Sequence, residues 1–205
     1  MKTIVKAERH ETGGADAEPI TVAEVQSNSN IGAGVDDTFI EGLIRRAVDL
    51  VEDWAGISIM QKQYTLKLDQ FPSDDETGIL LPFPPAISIS SVKYYDDADT
   101  LQTWSSDDYE LDASFRYGAM LYPVRTAAWP ASRTFRDSVE IVYLAGYPDD
   151  QASADTVPED LKGALLLMVG HWYENREATT QSLFNMQQIP LGVHALLGNY
   201  RAWGF

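Results

Sequence analysis

Apolar positions recur at three- and four-residue steps in two long stretches of this chain, and at two-residue steps in the region between them. In the first stretch Ile40, Leu43, Ile44, Ala47, Val48, Val51 and Trp54 form one stripe, the pattern of an amphipathic helix. Asp36 and Asp37 suit its positive N-terminus and Gly56 offers a left-handed cap, so the pattern predicts a helix over about 36–55. Arg45 and Arg46 lie off the stripe within reach of Glu41, Asp49 and Glu52, where exposed ion pairs are expected. The second stretch opens at Pro158-Glu-Asp, with proline tolerated at the first helical position. Leu161, Ala164, Leu165, Met168, Val169, Trp172 and Tyr173 build its apolar face, and Arg176 stands near its negative end, predicting a helix over about 158–177. A polar loop follows, and Pro190 begins a shorter helix to about 201. Upstream, Thr21-Val-Ala-Glu24 is a capping-box pattern that predicts a short helix over 22–26. It should stop before Ser27-Asn-Ser-Asn30, whose side chains compete for backbone hydrogen bonds.

From Ile57 to Tyr147 the period is two. Tyr64, Leu66 and Leu68 alternate with polar neighbours, and Ile87, Ile89 and Val92 to Tyr94 follow. After an Asp96–Asp99 turn come Thr100–Trp104, Tyr109–Asp112, Ala119–Tyr122 and Val139–Tyr143, some six or seven short strands in all. Prolines punctuate the region at positions that suit edges and turns. The expected class is α+β: a helical core with an inserted antiparallel β unit. The expected divisions are an N-terminal arm with helices (1–60), the β unit (61–150), and C-terminal helices with a tail (151–205). Residues 1–19 have little periodicity and read as an extended arm.

Composition narrows the chemistry. The chain is 44% hydrophobic and 11% aromatic, which is globular composition. No apolar run approaches the roughly 18 residues of a membrane span, so no membrane contact is expected. Met1–His10 lacks the apolar stretch of a signal peptide, and secretion is not expected. The absence of cysteine removes disulfides and thiolate metal sites. With 31 acids against 15 bases the formal charge is −16, which argues against tight DNA binding, since phosphates are gripped by Lys and Arg. Residues 151–205 carry only 5 of those acids and 3 bases and are aromatic-rich, as suits a docking surface.

No catalytic pattern emerges. His10, His171 and His194 lack zinc-site spacing, and no nucleophile elbow or phosphate-binding glycine loop is present. Asp74-Asp-Glu76, Asp96-Asp97-Asp99 and Asp107-Asp108 could offer oxygens to Ca²⁺, but Asp96-x-x-Asp99 lacks EF-hand spacing, and acidic turns explain all three. No cofactor and no metal are expected. A carbohydrate- or Ca²⁺-binding β module is the alternative, and it requires exposed Tyr94, Tyr95 and Trp104 beside a carboxylate site. Trp, Tyr and Arg are also the residues enriched at protein contacts, which fits Trp172 to Arg176 and Tyr200 to Trp203 better.

The order of several segments resembles a known family. Pro19-Ile-Thr-Val-Ala-Glu24 precedes the acid-capped helix; Leu81-Pro-Phe-Pro-Pro85 and Ser91-Val-Lys-Tyr-Tyr95 sit in the β region. Ala145-Gly-Tyr147, Val157-Pro158, His171-Trp-Tyr-Glu-Asn-Arg176 and the ending Leu191 to Phe205 follow. Together they resemble the longer branch, with a β insertion, of the head–tail connector (adaptor) proteins of tailed bacteriophages. Ser27 to Gly34 departs from that pattern, as does Ala55-Gly-Ile57, where the family more often has Thr-Gly-Arg. The resemblance implies a non-enzymatic subunit made in the host bacterial cytoplasm and placed at the head–tail junction of a phage, or of a gene-transfer particle derived from one. Its implied partners are the portal protein, a downstream head-completion or tail protein, and itself in a ring of about twelve copies. DNA would pass through the lumen without specific binding. Tyr200, Arg201, Trp203 and Phe205 would dock on the portal; Leu43, Ile44, Trp54, Leu165, Trp172, Tyr173 and Arg176 would form the helix core and ring contacts.

Overall fold

The computed structural model describes residues 6–10, 18–73, 77–114, 118–147, 157–175 and 191–201, the strand at 6–10 by its backbone alone. The chain is α+β. Its described helices are α1 (Val22–Asn28), α2 (Asp37–Ala55), α3 (Glu159–Glu174) and α4 (Leu191–Leu197). Its strands are β1 (Lys6–His10), β2 (Lys62–Leu68), β3 (Ile79–Leu81), β4 (Ala86–Tyr95), β5 (Leu101–Thr103), β6 (Tyr109–Asp112), β7 (Ala119–Pro123) and β8 (Val139–Ala145). They fall into two compact units: the four helices in one, the eight strands in the other.

In the helical unit, α3 packs against each of the other three helices. The capping box of α1 forms as the spacing predicts: Thr21 Oγ1 accepts from the Glu24 N–H at 3.2 Å, and Glu24 Oε2 accepts from the Thr21 N–H at 2.5 Å. The helix does not stop before Ser27, however, and runs on to Asn28. Val25 and Gln26 are buried, and Asn30 takes the left-handed conformation (φ 53°), so the Ile31 N–H reaches the Gln26 carbonyl at 2.8 Å. The polar stretch thus ends the helix at Ser29, followed by the left-handed Asn30, a conformation asparagine tolerates, and not by competing with it from residue 27 onward.

Helix α2 follows its stripe closely. Ile40, Leu43, Ile44, Ala47, Val48 and Val51 are buried, Trp54 is half-buried, and Gly56 caps the helix at φ 68°. Asp36 adopts φ 56° and makes no side-chain cap. Asp37 instead accepts from Gln26 Nε2 at 2.6 Å, tying the start of α2 to α1. The expected ion pairs are only partly present: Arg45 lies 3.5 Å from Glu41 and 3.5 Å from Glu18. Glu52 is buried (3% exposed), and its Oε1 accepts from the Ile59 N–H at 2.8 Å. Position alone assigned it to the charged flank, yet the chain turning back after Gly56 supplies a backbone donor that draws the carboxylate inward.

Both C-terminal helices end earlier than their apolar patterns predict. Helix α3 stops at Glu174, not 177: Asn175 makes the last helical N–H bond, to the His171 carbonyl at 3.2 Å, leaves the helical conformation (φ −110°, ψ 56°), and its Nδ2 caps the same carbonyl at 2.8 Å. Helix α4 stops at Leu197, not 201; the Gly198 N–H bonds the His194 carbonyl at 3.0 Å and the Tyr200 N–H bonds the Leu197 carbonyl at 2.9 Å, closing a turn. Glycine and asparagine at 198–199 are poor helix formers, and nothing apolar continues the stripe there. Within α3, Gly170 permits a close approach: a Cβ there would stand 3.0 Å from Ser29 Oγ.

The β unit has two antiparallel sheets, ordered β1-β2-β8-β4-β5 and β3-β7-β6. Central β8 alternates buried and half-buried residues along its whole length, with Val139, Ile141, Tyr143 and Ala145 inward. Residues from both sheets meet in one core: Tyr64, Leu66, Val92, Ile141 and Tyr143 from the larger, Leu81 and Leu121 from the smaller. Seven strands, β2 to β8, lie between Ile57 and Tyr147, within the expected six or seven, and β1 adds another in the stretch expected to be an extended arm. Lys6–His10 has no apolar alternation and Ile79–Leu81 is too short to show one, so β1 and β3 are created by their partners β2 and β7. The Leu81-Pro-Phe-Pro-Pro85 segment is fastened to this core. The Tyr143 hydroxyl donates to the Pro82 carbonyl at 2.7 Å, Phe83 (φ 56°) stacks on Tyr64 at 4.9 Å, and the Gly146 N–H bonds the Pro85 carbonyl at 2.8 Å. Burial, with the nearby Tyr64 adding to it, keeps the Tyr143 hydroxyl protonated as a donor.

Candidate interaction surfaces

The acidic turns of the β unit use their carboxylates locally. Asp96 Oδ1 accepts from the N–H groups of Thr100 (2.9 Å) and Ala98 (3.0 Å), and Oδ2 accepts from Gln102 Nε2 (2.9 Å). These bonds favour the ionised form, so the pKa of Asp96 lies below the ordinary aspartate value, the Thr100 N–H contributing most. Asp112 is lowered in the same way by the Ser114 hydroxyl and N–H. Asp99 pairs with Arg133, and Asp107 and Asp108 sit in a short 3-10 turn begun by Ser105. Among the described residues no group of three or more His, Cys, Asp or Glu side chains could hold a metal ion. Asp74-Asp-Glu76 lies outside the described residues.

The aromatic platform that a carbohydrate module requires is not assembled. Trp104 is buried (7% exposed) against Phe71, Tyr109 and Trp129, and Tyr94 packs on Phe71 with rings 5.6 Å apart. Burial raises the pKa of Tyr109. Of the three candidate rings Tyr95 alone is exposed.

In the helical unit, aromatic and cationic side chains meet where α2 adjoins α3 and the C-terminal segment. Trp54 receives the His194 ring edge-on at 5.2 Å and the Arg201 guanidinium at 5.3 Å. Arg46, which the flank pattern placed among ion pairs, lies 4.8 Å over the Trp172 ring. Tyr173 donates its hydroxyl to Asp36 Oδ2 at 3.0 Å and stands 6.2 Å from the Phe39 ring. The His171-Trp-Tyr-Glu-Asn175 run is therefore a structural lock: Trp172 in the core, Tyr173 on the start of α2, and Asn175 closing α3.

The residues singled out by sequence separate into three groups. Leu43, Ile44, Leu165 and Trp172 are buried in the helical core. Trp54, Tyr173 and Tyr200 are half-buried and Arg201 is exposed. Arg176, Trp203 and Phe205 lie outside the described residues. Sequence reasoning passed over Val35, Phe39, Leu50 and Leu167, which are 39–47% exposed. Phe39, Leu50 and Leu167 interrupt the polar faces of their helices, which is the signal that marks them.

No helix among the described residues is long and apolar enough to cross a membrane. Among the described residues the conspicuous aromatics and arginines pack helices or sheets and Asp96 and Asp112 are bonded within their turns, an arrangement that suits a structural, contact-making protein. The chain belongs to the head completion protein family, whose model matches residues 18–203. The phage head–tail connector resemblance read from its segments is thereby borne out. None of the curated proteins matches it in sequence. Among solved structures it is similar in fold to a chain of the virion of a native gene transfer agent particle, with TM-score 0.71, 20% identity and 96% of each chain covered. A chain of the neck of the empty particle, computed with C6 symmetry, gives TM-score 0.70 at 20% identity over 97% of each chain. One from the neck of the native particle, computed with C12 symmetry, gives 0.69 at 21% over 97% of each.

Proposed function

We propose that this chain is a structural head–tail connector subunit of a phage or gene-transfer particle. It forms a ring of about twelve copies beneath the portal and joins the portal to the next head-completion or tail protein. The observation that carries this reading is the family match over residues 18–203, supported by a fold shared end to end with neck chains computed with C6 and C12 symmetry. The particle's head–tail junction is its site of action, and its role is structural, not enzymatic.

The buried Leu43, Ile44, Leu165 and Trp172 give α2 and α3 their shape, and ring contacts along these helices fall to their exposed Phe39, Leu50 and Leu167. Arg201, held over Trp54 at the end of α2, and its neighbour Tyr200 would dock on the portal together with Trp203 and Phe205. A charge of −16 suits a lumen in which DNA slides, since a negative wall repels phosphate.

The test is the mass of the purified protein, alone and mixed with its cognate portal ring, by light scattering behind size exclusion. A stoichiometric ring complex, lost on truncation after Gly198, is the expected result. A monomer that ignores the portal overturns the reading.

A further inference from the structure

We propose that Trp54, in the last turn of α2, is a positioning residue for portal docking: its indole holds Arg201 in the posture from which the C-terminal segment meets the portal. The proposal rests on the connector reading and gives Trp54 a role beyond the core and ring contacts that the resemblance implies for it. Two side chains of the C-terminal segment converge on this one ring. The His194 ring lies 5.2 Å from it, tilted by 72°, and the Arg201 guanidinium lies 5.3 Å from it. Backbone bonds build the convergence. Val193 and Leu197 are buried and fix α4 by one face, leaving His194 exposed. The Gly198 N–H bonds the His194 carbonyl at 3.0 Å and the Tyr200 N–H bonds the Leu197 carbonyl at 2.9 Å. That turn brings the chain back, so Arg201 reaches the same ring as His194.

The ring is a fixed point. Of the α2 stripe Trp54 alone is left half-buried, the residues from Ile40 to Val51 being buried. Ala55 beside it is buried, the Gly56 N–H caps the Glu52 carbonyl at 2.8 Å, and Glu52 ties the following turn through the Ile59 N–H. The last turn of α2 carries no basic residue of its own, although a helix C-terminus is the negative end of the macrodipole. Arg201 brings a cation to that end from far along the chain. A guanidinium stacked on an indole uses its flat face, and its N–H fork can still meet an acceptor. An arginine held in this way loses less freedom on docking than one on a mobile segment, so less of the ordering cost is left for the moment of binding. Core packing of Trp54 accounts for its buried side but not for the arginine on the ring.

The test titrates the full-length protein and its variants onto immobilised portal rings, with Tm as the check on folding. Trp54→Leu removes the aromatic face and is expected to weaken capture by about two- to fivefold, the factor that one exposed cation–π contact supplies. Trp54→Phe keeps a face and is expected to stay close to wild type. Combined with Arg201→Ala, Trp54→Leu is expected to lose no more than Arg201→Ala alone, because both remove one contact. Losses that add show Trp54 acting through packing alone and overturn the proposal. Amide hydrogen exchange at Tyr200 in the free protein reads the tie directly. Trp54→Leu and the surface variant Arg201→Gln are each expected to speed that exchange, and the second decides the matter if the first does not fold. Exchange unchanged in the folded variants overturns the proposal. Normal capture by Trp54→Leu, beside capture lost on truncation after Gly198, also overturns it and leaves the connector reading standing. A wild-type protein that ignores the portal overturns both.

Discussion

Glu52 sits on the acidic flank of an amphipathic helix, yet its carboxylate faces inward to the Ile59 N–H. Glu52→Ala leaves that buried donor without this acceptor and is expected to destabilise the protein by about 1–3 kcal/mol in urea unfolding, with Glu52→Gln costing less. An unchanged midpoint for the alanine variant contradicts this account. Gly56→Ala places a Cβ at φ 68° and is expected to lower stability by about 1 kcal/mol, read as a fall in Tm. Asp96 carries a sign that can be checked. Its folded pKa is lowered, so the turn's contribution is present above the ordinary aspartate value, about 3.9, and is lost as pH falls through the folded value. An NMR titration is expected to give Asp96 a midpoint below that of an unperturbed aspartate; a midpoint at or above it refutes the hydrogen-bonding account.

Among the elements, α2 and β8 were the most legible in sequence, because each buries one face and a buried face imposes its own period. Helix ends were less legible. Asn30 and Asn175 both act through backbone groups several residues away, and the apolar stripe carries no record of them. Strands β1 and β3 illustrate the same limit, since a strand made by its partner's ladder needs no pattern of its own. The joint between the Pro82–Pro85 segment and β8 is tested by Tyr143→Phe, which removes the donor to the Pro82 carbonyl. With that carbonyl buried, a loss of about 1–3 kcal/mol is expected, seen as an earlier unfolding midpoint, and a neutral result shows that the segment is held by packing alone.

For the whole molecule, the connector reading makes contacts with other chains the consequential ones, and the candidate side chains differ in kind. Arg201 is exposed and lies over Trp54, so Arg201→Ala is expected to cost the fold only about 0.5–1 kcal/mol while weakening capture by the portal ring. Equal portal binding by the variant in light scattering removes Arg201 from the docking surface. Leu165→Ala is expected to do the reverse, lowering stability by about 2–5 kcal/mol through a core cavity before any assembly is measured.

The sequence by itself determined the class, the two long helices, the alternating strands and the family, because these follow from periodic burial and from the order of short segments along the chain. It also placed Leu43, Ile44, Leu165 and Trp172 on apolar faces, a property that repeats every three or four residues. Only the tertiary structure decided that Glu52 turns inward, that Arg46 covers Trp172 instead of pairing with an acid, and that Tyr173 reaches Asp36. It alone set Tyr95 of β4 directly across from Leu101 of β5. Each of these depends on a partner distant along the chain or on a backbone group, and neither leaves a period to read.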